Sequence, residues 1–142
     1  MKQLFFIMYF FVCSHVFSQA GIYVIDHTQN RSDDTITKWT LTLHEDGTFL
    51  YHFLRDLSAV SKANIEENFY GKGTWKAEGN LVFFYTDKKT EMDEKYKINF
   101  TNSKARYITK SPRDKSDKIV KTALRFYESD LFYIKGLELF KE

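Results

Sequence analysis

An all-β fold is what this sequence predicts: an antiparallel up-and-down barrel, or a strongly curled sheet, of about eight to nine strands. Three observations lead there. Short runs of alternating apolar and polar residues, rich in β-branched and aromatic types, recur along the 142 residues and are separated by polar turns. Proline occurs once, at Pro112, and the glycines fall at turns or strand defects, so neither a linker nor a solenoid repeat divides the chain. Every junction between runs can be made as a hairpin, and closure protects the edges such a chain otherwise exposes.

Residues 1–20 stand apart from this pattern. MKQLFFIMYFFVCSHVFSQA carries one cation at Lys2, an apolar run from Leu4 to Val12, and small or polar residues up to Ala20, the anatomy of a secretory signal peptide. The run is far shorter than the roughly 20 residues that cross a bilayer as a helix, so no stable membrane span is expected in the mature chain. Cleavage is expected after Ser18 or after Ala20, leaving one domain over residues 21–142, exported to a periplasm or secreted. Cys13, the only cysteine, leaves with the leader, so the domain has no internal disulfide and relies on packing. Phe10, Phe11 and Val12 argue against lipid attachment at Cys13, because lipoprotein processing favours a small residue immediately upstream.

The clearest elements are Thr35 to His44 and Thr48 to Arg55, joined by Glu45-Asp46-Gly47. A glycine ending a three-residue loop suits a type I turn closed by a left-handed residue. The register that follows pairs Leu43 with Phe49, Leu41 with Tyr51 and Trp39 with Phe53, which puts these apolar residues on one face. His44 and His52 fall on the other. Asp56 to Asn68 is polar and fits either a helical turn or two or an irregular connection. A strand resumes at Phe69 and runs through Gly71, Gly73 and Trp75, where alternate glycines mark a sharp bend or a close backbone approach. Leu81 to Tyr85 is apolar on both faces. Strands are then expected near Tyr96 to Thr101, Ala105 to Thr109, Lys118 to Tyr127 and Leu131 to Phe140, the last with a bulge near Lys135-Gly136.

The order WTLTLHEDGTFLYHF, GKGTW, GNLVFFY resembles the small exported lipocalin-like, calycin-type β-barrel domains of bacterial envelopes, over most of Thr35 to Tyr85. The resemblance implies a lipocalin-like barrel and little about activity, since many such domains have no assigned function. Two departures limit it. Lipocalins proper carry Gly-x-Trp on the first strand, whereas Gly73-Thr74-Trp75 lies mid-chain. The copper-stress lipoproteins of similar fold carry a Cys-x-x-Cys pair, which this chain lacks, so metal sensing does not transfer.

No catalytic motif emerges. The carboxylate pairs Glu45-Asp46, Glu66-Glu67 and Asp93-Glu94 fall in predicted loops, and the chain has neither a Gly-x-Ser-x-Gly elbow nor a phosphate-cradling glycine loop. His27, His44 and His52 lack metal-ligand spacing, so no metal and no cofactor is expected. Lys and Arg number 21 against 19 Asp and Glu. The basic stretch from Lys104 to Lys121 is interrupted by Asp114 and Asp117, so a nucleic-acid partner is not expected. The aromatics are the distinctive content. Trp39, Leu41, Tyr51, Phe53 and Trp75 are the residues expected to line a ligand cavity or to fill the core. The expectation is a non-catalytic domain that binds a small hydrophobic molecule or an envelope component, with any ligand near one barrel mouth. The alternative is a structural or protein-interaction barrel with a filled core.

Overall fold

The computed structural model describes residues 18–27, 35–58 and 60–142. The expected leader through residue 17, including Cys13, lies outside them. The described residues form nine strands: β1 (Gly21–Asp26), β2 (Ile36–Leu43), β3 (Thr48–Asp56), β4 (Glu66–Glu78), β5 (Leu81–Tyr85), β6 (Tyr96–Ile98), β7 (Ser103–Ile108), β8 (Ala123–Glu128) and β9 (Glu138–Lys141). All except β6 close into an antiparallel barrel, β4 pairing with β3 and β9 returning to β1. Closure removes the edges of an open sheet, and the result is consistent with a lipocalin-like fold.

The β2–β3 hairpin fixes the register of the wall. Gly47 takes a φ of 87°, and the loop closes as His44 N–H donates to Thr48 O at 2.9 Å and Gly47 N–H to His44 O at 3.1 Å. Trp39 therefore faces Phe53, Leu41 faces Tyr51 and Leu43 faces Phe49, as turn chemistry and alternation together require. Leu41, Leu43, Phe49 and Tyr51 point inward, none more than 2% exposed.

β4 serves two partners in succession, β3 along Glu66–Thr74 and β5 along Thr74–Glu78. Gly73 permits the handover. A Cβ there would run into the Tyr85 carbonyl oxygen and lie 2.9 Å from the Phe49 ring, so the backbones approach more closely than any side chain allows. Gly71 makes room for Phe100, whose ring would meet a Cβ at 2.8 Å. Phe100 in turn fills the middle of the barrel, its centroid 5.2 Å from Phe49 and 4.9 Å from Tyr51, with Phe84 and Phe126 beside it.

One end of the barrel is closed by residues 18–20. Gln19 is buried, its side-chain amide donating to Gly79 O at 2.9 Å, and its carbonyl accepts the Tyr23 hydroxyl at 2.5 Å. Nearby, the Trp75 indole N–H donates to His44 O at 2.9 Å.

Several elements differ from the expectation. β6 is not part of a sequential hairpin: it runs parallel to β4 at Tyr70 and Gly71, and β5 pairs directly with β7. The reason is an edge. β5 parts from β4 at Thr74, and the returning chain covers the strand edge left behind. Thr86 anchors that return, its hydroxyl donating to Lys72 O and accepting from Phe100 N–H, both at 3.0 Å. Between β3 and β4 the described residues form a loop without helix, and β4 starts earlier than Phe69. The last strand is shorter than expected because Leu131 to Gly136 coils into turns. Leu131 O accepts from Ile134 and Lys135 N–H at 3.0 and 3.2 Å, Gly136 has a φ of 89°, and Ile134 is wholly buried. The parity break there marks a turn that inserts an isoleucine, in place of a bulge. Lys118 to Thr122 likewise stays outside β8.

Candidate functional site

At the end opposite Gln19 the interior is not filled. Trp39 on β2, Phe53 on β3 and Phe69 on β4 stand at registered positions of three neighbouring strands. Their rings form a ladder: Trp39 and Phe53 centroids lie 4.8 Å apart at 28°, Phe53 and Phe69 5.8 Å apart at 24°. Such stacking contributes about 0.5–1.5 kcal/mol per pair beyond area burial, which holds the rings flat along the wall. His27 meets Trp39 edge-on at 5.5 Å.

In front of this ladder lies a cavity of about 320 Å³, bounded further by Tyr51, Ile98 and Tyr133. Tyr133 reaches it from the Leu131 to Gly136 turn, so the segment that plugs the core with Ile134 also supplies one wall. Arg55 completes the lining. Its guanidinium pairs with Glu67, Nε donating to Oε2 at 2.6 Å, and both side chains are partly exposed, which weakens the pair's contribution.

The two tyrosines differ from surface phenols. Burial raises the pKa of Tyr51, with the neighbouring Tyr133 adding to the shift, and burial raises that of Tyr133. Desolvation disfavours phenolate, so both remain neutral across the physiological range.

A larger cleft of about 530 Å³ lies among Thr86, Lys88, Lys89, Asn102 and Asp130 on the loops. Most of its lining residues are polar or charged. Ligand sites usually combine an apolar lining with a few placed polar groups, and the smaller cavity fits that description better.

The residues singled out from sequence divide between two places. Trp39, Tyr51 and Phe53 come together at the cavity, whereas Leu41 and Trp75 sit in the packed interior, Trp75 toward the closed end. Phe69, Ile98, Arg55 and Tyr133 complete the lining and were missed by sequence reasoning. Phe69 shares the parity of Gly71, Gly73 and Trp75, which was a usable signal; Tyr133 lies in a segment expected as strand, which hid it. His52 is on the outer face, stacked on Tyr70 at 4.5 Å with Nε2 2.7 Å from Asn68 Oδ1. Among the described residues no three His, Cys, Asp or Glu side chains gather as a metal site, and no helix is long and apolar enough to cross a membrane.

Fold and cavity together define a closed antiparallel β-barrel with a filled middle and an aromatic-lined pocket at one end. Comparison with protein-family models, with curated proteins and with solved structures gives no match.

Proposed function

We propose that this chain is an exported, non-catalytic barrel that binds a small apolar molecule in the cavity before the Trp39–Phe53–Phe69 ladder. One observation carries the reading: the strands that pack buried side chains at Leu41 and Tyr51 present the rings of Trp39 and Phe53 to unfilled space two positions further along. Apolar walls facing a gap forgo dispersion contacts that a ligand restores. At interior-like packing density, 320 Å³ accommodates roughly 10 to 15 non-hydrogen atoms.

Equilibrium dialysis with naphthalene tests this. Saturable one-site binding is expected, weakened about tenfold by Phe53→Ala through loss of ring contact and unchanged by His52→Ala on the outer face. Absence of saturable binding to the wild-type chain would refute it.

Export is supported by Lys2, the apolar run and the small residues before Gly21. The closed end favours cleavage after Ser18. Losing Ser18 removes its long hydroxyl bond to Gln19 Oε1 at 3.3 Å and the exposed hydrogen bonds that its carbonyl accepts from Lys141 and Tyr107, whereas losing Gln19 strips the buried Tyr23 hydroxyl of its acceptor. Intact mass of the exported protein should begin at Gln19, and a mass retaining Met1 would overturn the assignment.

A further inference from the structure

We propose that the ligand carries a neutral carbonyl oxygen at the end that enters first, and that the Tyr51 hydroxyl donates a hydrogen bond to it at the cavity floor. This rests on the cavity being a ligand site. Tyr51 is 2% exposed and lines the cavity, yet its hydroxyl makes no hydrogen bond to any described residue. No side-chain polar atom among the described residues is both sealed from solvent and unpaired, so this hydroxyl opens onto the cavity. Two other buried hydroxyls in the barrel are satisfied internally: Tyr23 by Gln19 O and Thr86 by Lys72 O. Tyr51 alone among these three is left for something from outside.

The chemistry of that partner follows from the surroundings. The phenol stays protonated, so it offers a donor. The aromatic ladder and Ile98 make the floor a place where an isolated carboxylate is heavily penalised, while a neutral carbonyl loses far less on leaving water. Among the described residues, the only cation lining the cavity is Arg55, which lies four residues along the same strand face, about 13 Å away at strand rise, and already pairs with Glu67. An anionic group therefore meets no counter-charge at Tyr51 among the described residues. A carbonyl-bearing aryl or alkyl ketone, aldehyde or ester matches floor and walls together.

The test compares 2-acetonaphthone with 2-isopropenylnaphthalene, a pair equal in shape that differs by C=O against C=CH₂. Dissociation constants are measured on wild-type protein and on Tyr51→Phe. The expected result is that Tyr51→Phe lowers ketone affinity about five- to tenfold, as for one lost hydrogen bond, without lowering hydrocarbon affinity. A ketone-to-hydrocarbon ratio identical in the two proteins overturns the role of Tyr51 while leaving the cavity as a binding site. Failure of both probes to bind wild-type protein overturns the cavity reading and the inference with it. Isotope-edited infrared spectroscopy on the wild-type complex is independent of how the variant folds: the bound ketone should show a carbonyl stretch below that in hexane, and an unshifted band counts against the hydrogen bond.

Discussion

Replacing Phe49 and Phe53 by alanine, one at a time, separates packed interior from cavity wall on a single strand. Both side chains face inward on β3, four residues apart. Phe49 is 1% exposed and its ring meets Phe84 and Phe100 at 5.2 Å. Removing it leaves a sealed void, and the loss of transfer free energy plus the cavity contribution should reach about 3–5 kcal/mol. Phe53 is only partly buried, with Trp39 on one side, Phe69 on the other and the open cavity in front. Truncating it forfeits roughly half of the 1.5–3 kcal/mol that full burial is worth, together with a stacking contribution of about 0.5–1.5 kcal/mol, and creates no sealed void. A loss near 2 kcal/mol is expected. The assay is urea denaturation followed by far-ultraviolet circular dichroism, which does not depend on Trp39 fluorescence. Thermal midpoints should separate in the same order, by roughly 3–5 °C per kcal/mol for a domain of this size. Equal losses for the two variants would refute the reasoning, because they would mean that the space before Phe53 is packed as tightly as that around Phe49.

Tyr51→Phe should leave the unliganded protein as stable as wild type or up to about 1 kcal/mol more stable, since it removes a desolvated hydroxyl that bonds to no described residue; a clear loss in urea midpoint would reveal a partner for that hydroxyl. Gly73→Ala should destabilise by about 2–3 kcal/mol or more, because the obstruction is the backbone oxygen of Tyr85. Gly136→Ala, which meets nothing within 4 Å but sits at a φ of 89°, should lose only about 1 kcal/mol, and reversal of that order in chemical denaturation would contradict the handover at β4. The hydroxyl and amide of Thr48 hold Asp46 below the ordinary 3.8, and the amides of Tyr96 and Lys95 do the same for Asp93. Their stabilisation is therefore present above pH 3.8 and lost as pH falls through the lowered folded values, so Asp46→Asn should reduce the acid dependence of the urea midpoint, and an unchanged slope would argue against those bonds. Burial raises the pKa of Tyr51 and Tyr23 above the ordinary 10.0. Stability from these neutral phenols is complete below pH 10 and declines as pH rises toward the folded values; ultraviolet titration should show both ionising after the exposed tyrosines.

The β2–β3 hairpin was legible in sequence because its determinants are local: Gly47 fixes the loop, the loop fixes the register, and alternation then fixes which faces are apolar. The alternate glycines of β4 signalled a close approach for the same reason, since only a missing Cβ permits one. What approaches them, Tyr85 O and Phe100, lies 12 to 29 residues further on and has no local signature. β6 was misjudged because pairing with β4 answers an edge that β5 leaves open, a condition that exists only once the barrel has closed. The Leu131 to Gly136 turn shows the same limit: its composition suits a strand, but burying Ile134 inside the barrel is worth more than extending β9. The cavity combines both kinds of information. Composition and parity placed Trp39, Tyr51 and Phe53 on one inward face, and with it the aromatic character of the wall. Whether that face meets side chains or empty space depends on Phe100, Ile134 and Tyr133 arriving from distant segments, and volume left between elements is a property of their packing that no single run of residues encodes.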